Sequence, residues 1–421
     1  MDRSIVYTTG MHVVIFEGSR WNTFAPLALS KPAFMLPSGM GTLLDKHLYL
    51  LSPSRLSLWV RPEMAEYCRQ NVLPSLKIPT TVNEPLNDEP ALITSGRTLH
   101  MAKFEMPPIP SVVVEDGDVI RFATVEKMAG LSPEDVFSRS DRWLKLLDLP
   151  HTMPQARYVD RVWDLIAWNE ESLISDFVHW NGPRVATDDG PWHLINQQDI
   201  VQVRGAKLAP GCVLDASRGP IVLDAGASVG ANAVIEGPCY IGPYTTVLPL
   251  TFIRPGTTIG SMCRVAGEVS NSIISSYTNK AHYGYLGDSF LGSWVNLGAG
   301  TTTSNLKNTY GEVTMKIGRQ QHKTGRRNLG SIVGDHTKTA IGTRLNTGSY
   351  LGFCCQVAGA GLTPKFIPSF SFWTEGKSEK YDLAKAIEVA KKVYARRDKH
   401  WTDDDSAIMR YVAATSEKFE S

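Results

Sequence analysis

VGANAVIEGPCYIGPYTTVLPLTFIRPGTTIGSMCRV, residues 229–265, places Val229, Ile235, Ile241, Val247, Ile253, Ile259 and Val265 six positions apart, all branched aliphatics. Several are followed directly by glycine: Val229-Gly230, Ile241-Gly242 and Ile259-Gly260. A period of six is neither the 3.6 of a helix nor a plain alternation. It is an internal repeat, the mark of stacked identical units. The physical reading is a parallel β-helix of triangular section. Each six-residue unit makes one short strand and one corner. The branched residue points inward, and the glycine or another small residue permits the tight corner. Coils stacked at about 4.8 Å then form a continuous inner column of aliphatics. A β-sandwich with glycine-rich turns is the competing reading, and seven consecutive hexads argue against it.

The pattern frays but persists on both sides. Upstream, Leu208, Val213, Ile221 and Leu223 sit among Gly, Pro, Ala and Asp. Downstream, Leu286-Gly287, Leu291-Gly292 and Leu297-Gly298 continue it, with a break at Thr301. It resumes at Val333-Gly334, Ile341-Gly342, Leu351-Gly352 and Val357. The spacing predicts one solenoid from about Pro191 to about Phe372, interrupted by a loop.

The 421 residues leave room for two or three domains, and 43% apolar content suffices to bury cores. A formal charge of +1 argues against a dedicated nucleic-acid binder. Cys68, Cys212, Cys239, Cys263, Cys354 and Cys355 show no C-x-x-C pair and no metal-type spacing. They read as core residues of a reduced, cytoplasmic protein. No apolar run approaches a membrane span, and nothing at the start resembles a signal peptide.

In the first half, Val13–Phe16, Leu56–Val60 and Ala91–Thr94 are strand signals, with a helix from Met64 to about Asn71. Strands alternating with helical stretches predict an α/β domain with a parallel sheet. Ligands bind where such strands end, which makes Gly18-Ser19-Arg20, Lys31 and Ser95-Gly96 candidates. Val112–Val114 and Val119–Phe122, around Asp116-Gly117-Asp118, read as an edge hairpin. From Arg161 to Phe177 the period turns helical, with Val162, Leu165, Ile166, Leu173, Ile174 and Phe177 on one face. The Trp-rich stretch from Trp180 to Trp192 leads into the solenoid. After the solenoid, Leu383, Ile387, Ala390 and Tyr394 mark an amphipathic helix. Thr402 with Asp405 caps a last one. The resulting division is 1–160 for the α/β domain, 161–190 for a linker helix, 191–375 for the β-helix and 376–421 for the C-terminal helices.

The densest run of chemistry-bearing residues follows the hexads: Asn279-Lys280-Ala281-His282-Tyr283-Gly284-Tyr285-Leu286-Gly287-Asp288, then Asn296-Leu297-Gly298-Ala299-Gly300-Thr301, then Asn305. It resembles the acyltransferase half of the bifunctional N-acetylglucosamine-1-phosphate uridylyltransferase/glucosamine-1-phosphate acetyltransferases, the GlmU type. Their motif has a His three residues before the Tyr of Y-x-G-D, then N-x-G-A-G-T, then an Asn. The match falls on His282, Tyr285, Asp288, Asn296, Gly298, Ala299, Gly300 and Asn305, and Ile253-Arg254-Pro255-Gly256 resembles the family's phosphate-binding Arg-Pro-Gly. The resemblance implies a left-handed parallel β-helix, a homotrimer, and acetyl-CoA as co-substrate.

Acetyl transfer needs a neutral sugar amine that can attack a thioester. An imidazole, with an ordinary pKa of about 6.5, can take the amine proton at neutral pH. That role falls to His282. Arg254 would fork a sugar phosphate. Tyr285, Asn296 and Asn305 would orient the sugar. Backbone N–H groups around Gly298-Ala299-Gly300 would hold the thioester oxygen or the pantetheine arm. The family carries a Lys on the coil before the His, where this chain has Glu268-Val269-Ser270-Asn271; Leu306 replaces a family Tyr. The insert 306–328 carries Lys307, Lys316, Arg319, His322, Lys323, Arg326 and Arg327. It reads equally as a grip on CoA phosphates and as a solvated hairpin.

The first half resembles the family's sugar-nucleotidyltransferase domain in a divergent branch, through Pro26-Leu27-Ala28-Leu29-Ser30-Lys31-Pro32. The usual G-x-G-T-R loop is reduced to Glu17-Gly18-Ser19-Arg20. Gly18, Ser19, Arg20 and Lys31 are thereby implied as nucleotide-binding, with Mg²⁺ as the cation of nucleotidyl transfer. No metal-binding Asp follows the third strand, where Ile93-Thr94-Ser95-Gly96-Arg97 stands; Asp164 and Asn169 are the remaining candidates. The expected function is sugar-1-phosphate nucleotidyl transfer coupled to acetylation of an amino sugar phosphate, with small molecules and no nucleic acid or membrane as partners. Two alternatives stay open: acetyl transfer alone with a relic first domain, and a non-catalytic scaffold that binds nucleotide sugars.

Overall fold

The computed structural model describes residues 11–103, 105, 109–115, 119–125, 130–180, 182, 189–359 and 361–420. The predicted turn Asp116-Gly117-Asp118 and the part of the Trp-rich stretch at 183–188 lie outside them. The chain forms two compact units. Ala25–Leu29, Pro37–Met40 and the chain from Arg161 onward belong to the second.

The first unit is built on a six-stranded sheet. Its order is Thr80–Val82, Arg55–Trp59, His12–Phe16, Ala91–Ser95, Val119–Val125, Val112–Glu115. The first four strands are parallel, and the last two form the antiparallel edge hairpin. Val13, Val14 and Ile15 are fully buried, as a continuous apolar run requires when both faces of a parallel sheet are covered. The helix expected from Met64 is not a regular one. It begins as a short helical turn at Ala65–Tyr67 and widens into a π turn over Cys68–Val72. Pro74, two residues on, cannot donate to an α-helical ladder, and the run closes in a 3-10 turn at Leu73–Ser75.

The second unit is a parallel β-solenoid. Its first face stacks His193–Ile195, Val213–Asp215, Val234–Glu236, Phe252–Ile253, Glu268–Ser270 and Tyr285–Gly287; its second face is a nine-stranded sheet from Ile200–Gln202 to Phe366–Ile367. The third face begins Lys207–Leu208, Ser228–Val229, Thr246–Val247, Arg264–Val265 and Asn279–Lys280. Lys338–Thr339, Gln356–Val357 and Ser371–Thr374 take up its course after the insert. All seven hexad aliphatics from Val229 to Val265 are at most 2% exposed and share one core. Lys377–Lys380 still pairs with Ser371–Thr374, so the sheet runs past residue 375.

Three expectations need correction. Ile341, read as part of the inner column because glycine follows it, is 77% exposed; Thr339 and Leu345 point inward on that coil instead. Ile174 is 41% exposed and stands off the buried helix face. The glycines after the hexad aliphatics open the corner turns, Ala233 N donating to the Gly230 carbonyl and Thr245 N to the Gly242 carbonyl (both 3.2 Å), but they do not take the left-handed corner position, which falls two residues on. A Cβ on Gly242 would lie 2.7 Å from the carbonyl carbon of Gly260, so glycine stands there because the next coil's main chain passes close by. The corners are held by Asn232, Tyr244, Leu250 and Met262 at φ of 55–60°. That conformation costs a side-chain-bearing residue roughly 1–2 kcal/mol, which the ladder bonds on both sides offset.

Helices Val162–Ala167 and Asn169–Val178 lay Leu173 and Phe177 on Val201, Val222 and Tyr240 of the second face. Asn169 is fully buried. Its Nδ2 donates to the Gly256 carbonyl (2.8 Å) and Thr258 Oγ1 (3.0 Å), and its Oδ1 accepts from Gly39 N (2.8 Å). Asp164 accepts from Arg161 N (3.0 Å) and pairs with Arg326 (3.5 Å). Both candidate metal ligands are thus committed to structure. At the far end are helices Leu383–Ala395 and Asp403–Glu420. Tyr394 stacks on Trp294 at 4.3 Å, which stacks on Tyr277 at 4.2 Å. The expected cap is formed: Asp405 N donates to Thr402 Oγ1 (3.2 Å) and Thr402 N to Asp405 Oδ2 (2.8 Å). Thr402→Ala is expected to cost about 1 kcal/mol, seen as a lower urea midpoint at unchanged slope; an unchanged midpoint would contradict it. Among the described residues, no helix is long and apolar enough to cross a membrane.

Candidate functional site

In the solenoid, the predicted residues divide between a wall and a corner. The wall is the outward side of the first face. Phe252, Glu268 and Tyr285 stack in register there. The Tyr285 ring lies across Gly287, where a Cβ would come within 2.2 Å of its Oη. Asn305 Nδ2 donates to that Oη (3.1 Å) and to Asp288 Oδ2 (2.5 Å), while Asn271 Nδ2 donates to Asp288 Oδ1 (2.7 Å). Burial, then the Asp288 and Glu268 charges, push the Tyr285 phenol up, so it stays protonated as a donor. Arg254 reaches Glu268 at 3.2 Å, with both side chains near 40% exposed. A phosphate arriving at Arg254 would therefore compete with Glu268.

The corner leads from the third face into the first. His282 and Tyr283 are exposed there. The turn Gly298-Ala299-Gly300 occupies the same corner one coil on, joined by Gly300 N donating to the Tyr283 carbonyl (3.0 Å). Gly300 has φ +74°, and a Cβ there would meet Tyr283 Oη at 2.9 Å. Gly298 N donates to the Thr339 carbonyl (3.1 Å). Two of the three N–H groups in this turn are thus used within the coil stack. The Ala299 N–H, among the described residues, has no such bond. Asn296 lies elsewhere: it is exposed on the third face, bridging in register to Asn279 and Lys338. Within one chain the structure does not bring it to Tyr285 and Asn305.

Lys280 was missed. It occupies an inward position on the third face, in line with Val265, and is 2% exposed. Its Nζ donates to the carbonyls of Ala266 (2.6 Å) and His282 (3.0 Å), clamping the corner below the imidazole. Counting inward positions from Val247 to Val265 and across one shortened coil would have found it. Burial lowers its pKa to about 8. Between about pH 8 and the ordinary lysine value the unfolded chain holds a proton that the folded one has released. This group therefore makes stability rise with pH across that window, its charge being a full liability only below it. Lys280→Met should flatten that rise, read from urea midpoints at pH 7.5 and 9.5 in both proteins; equal pH slopes would refute the assignment.

The insert is an antiparallel hairpin, Thr314–Ile317 with Gln320–Lys323. Val313 and Met315 are buried, while Lys316, Arg319, Lys323 and Arg327 are exposed.

In the first unit, a cavity of about 230 Å³ opens at the ends of the parallel strands. Gly18, Ser19 and Arg20 line it together with Phe16, Glu17, Ser95, Arg97, Arg139, Trp143 and Tyr158. Lys31 lies outside that lining. Glu17 is 1% exposed and ion-paired with Arg61, which also donates its backbone N–H to Glu17 (3.2 Å). Burial raises the Glu17 carboxyl and the Arg61 charge opposes the rise. Arg61 in turn covers Trp21 at 4.0 Å. Arg97 is 3% exposed, hydrogen-bonded to Tyr158 Oη and seated 4.5 Å over that ring. Arg97, Arg139 and Trp143 were not singled out from sequence, because they come from separate segments that only the fold gathers. Among the described residues no group of three His, Cys, Asp or Glu side chains could hold a metal ion. Glu17, the single carboxylate in the lining, is already taken by Arg61. This donor set does not fit Mg²⁺, which asks for free oxygen ligands in near-octahedral array.

The chain is 30% identical over 166 residues to a bifunctional protein GlmU of Cyanothece sp., covering 39% of this chain and 32% of that protein. It is 31% identical over 142 residues to a bifunctional sugar-1-phosphate nucleotidylyltransferase/acetyltransferase of Sulfurisphaera tokodaii, covering 33% and 35%. The match therefore spans about a third of the length of these relatives. Among solved structures, an Arabidopsis UDP-N-acetylglucosamine acyltransferase aligns at 12% identity and TM-score 0.28, over 50% of this chain and 79% of that one. The family model described as sugar nucleotidyl transferase matches residues 13–182.

Proposed function

We propose that the chain makes a UDP-N-acetylglucosamine-type nucleotide sugar, its first domain transferring a nucleotidyl group to a sugar 1-phosphate and its solenoid acetylating an amino sugar phosphate. The observation that carries the second activity is the wall of Tyr285, Asn305 and Asp288 adjoining the corner of His282 and Ala299. The lone pair of the neutral sugar amine attacks the acetyl-CoA carbonyl while His282 takes a proton from that nitrogen; the new C–N bond forms and the C–S bond breaks. The CoA thiolate leaves and recovers the proton from His282. The Ala299 N–H faces the oxygen that gains charge, and Tyr285 and Asn305 hold sugar hydroxyls. Arg254 exchanges Glu268 for the sugar phosphate. Acetyl-CoA is the co-substrate, Asn296 acts from a neighbouring copy in a homotrimer, and the compartment is the cytoplasm.

In the first domain, Gly18, Ser19 and Arg20 meet the phosphate groups. The family match and the strand-end cavity support this reading. The poor fit to Mg²⁺ favours a second reading, in which the first domain binds nucleotide sugar without transfer. Two assays decide between them: the mass of glucosamine 1-phosphate after incubation with acetyl-CoA, and pyrophosphate release from UTP with the acetylated sugar phosphate. Acetylation with pyrophosphate release supports the first reading. Acetylation alone supports the second. Absence of both rejects the proposal.

A further inference from the structure

The cavity of the first unit has the charge of a phosphate site and lacks the ligands of a cation site. Arg20, Arg97 and Arg139 bring three guanidinium groups to a space of about 230 Å³. Ser19 and Ser95 add hydroxyls, and Gly18, at φ +74°, turns the main chain into its rim. The Phe16 and Trp143 rings meet edge to face at 5.1 Å and form an apolar side. Sites that enclose a whole drug-sized ligand run to about 300–1,000 Å³. This one has room for the phosphate end of its ligand, with the remainder outside.

A divalent cation at such a site bridges phosphate oxygens and neutralises their charge. It must itself be held by oxygen ligands. Glu17 could serve only by leaving Arg61, and breaking a buried pair from one side costs about 3–5 kcal/mol. Guanidinium groups do the same neutralising work directly, through forked, charge-assisted hydrogen bonds to phosphate. Arg97 is already placed for it, fixed over the Tyr158 ring and bonded to that hydroxyl. Holding such a group in position beforehand reduces the ordering cost of binding.

We infer that this cavity takes the phosphate groups of its ligand without a divalent cation, the guanidinium groups of Arg20, Arg97 and Arg139 standing where the cation would. The inference rests on the proposed phosphate-binding role of the first domain and specifies how that role is carried out. The phosphate can come from a nucleoside triphosphate or from a sugar 1-phosphate, and the test separates the two.

The experiment is calorimetric titration of the full chain with UTP, glucosamine 1-phosphate and inorganic pyrophosphate, each in EDTA and in excess Mg²⁺. At least one probe should bind in EDTA, and Mg²⁺ should tighten it by less than about threefold. Binding by UTP and pyrophosphate, but not by the sugar phosphate, assigns the site to the triphosphate; the reverse assigns it to the sugar 1-phosphate. Arg139→Gln, at an exposed position, should weaken binding by about 10-fold or more, as loss of a charge-assisted bond does. Arg20→Gln gives a second exposed position should the first variant unfold, and thermal unfolding of each reports its integrity. Binding that Mg²⁺ tightens 10-fold or more overturns the inference while leaving the nucleotidyl reading standing. Wild-type affinity in both folded variants also overturns it. No binding by any probe in either condition overturns it together with the reading beneath it.

Discussion

His282→Ala is expected to lower the turnover of acetyl transfer by about 10²–10⁴-fold, the usual worth of a positioned general base, with KM for the sugar phosphate little changed. The reason is positional. The imidazole is exposed at the corner where the third face meets the first, and its own carbonyl is fixed by Lys280 Nζ at 3.0 Å. Removing the ring leaves the Tyr285–Asn305–Asp288 network intact, because none of its bonds passes through His282. Substrate should still bind while the amine keeps its proton. Mass spectrometry of the acetylated product gives the rate. Wild-type turnover in His282→Ala would end the assignment.

Ile241→Asp should destabilise the solenoid by more than about 5 kcal/mol, combining a lost aliphatic burial of roughly 1.5–3 kcal/mol with several more for a carboxylate enclosed without a partner. Ile241 sits between Leu223 and Ile259 in the inner column, all three fully buried. Domain stabilities are about 5–15 kcal/mol, so the variant is expected to be largely unfolded by circular dichroism in the absence of denaturant. Ile341→Asp is the comparison. It carries the same Ile-Gly sequence and the same substitution, but its side chain is 77% exposed. Its cost should stay within about 0.5 kcal/mol. Similar urea midpoints for the two variants would mean that inward and outward positions have been misassigned.

That pair also shows what the sequence can and cannot tell. The period of six gives the stacking direction, so the column from Val229 to Val265 is legible residue by residue. It does not give the phase once a coil shortens. The coil carrying Ile341 puts threonines inward, Thr339 and also Thr301 on the coil before, whose hydroxyls bond each other at 2.7 Å. A hydroxyl satisfied by its neighbour can replace an aliphatic, and no hydrophobicity pattern registers that. Lys280 escaped for the same reason, as a charged residue in an aliphatic's place. The Tyr285–Asn305 contact was foreseeable because both residues belong to one local motif. The Arg254–Glu268 pair, and the placement of Asn296 on a different face, depend on lateral position around the prism, to which spacing along the chain is blind. In the first unit the strands were legible as apolar runs. The three-arginine lining was not, because Arg20, Arg97 and Arg139 are scattered in sequence and only the sheet brings them together.

The hairpin between Leu306 and Asn328 leaves the prism and returns to it at a single point, where those two residues bridge each other. The second face passes straight from Phe290–Leu291 to Ser331–Val333 without missing a step of its ladder. Val313 and Met315 anchor the hairpin from their buried positions, while Lys316, Arg319 and Lys323 stand exposed. The charge on this side of the prism can therefore change through evolution at little cost in stability while the Tyr285 wall keeps its geometry.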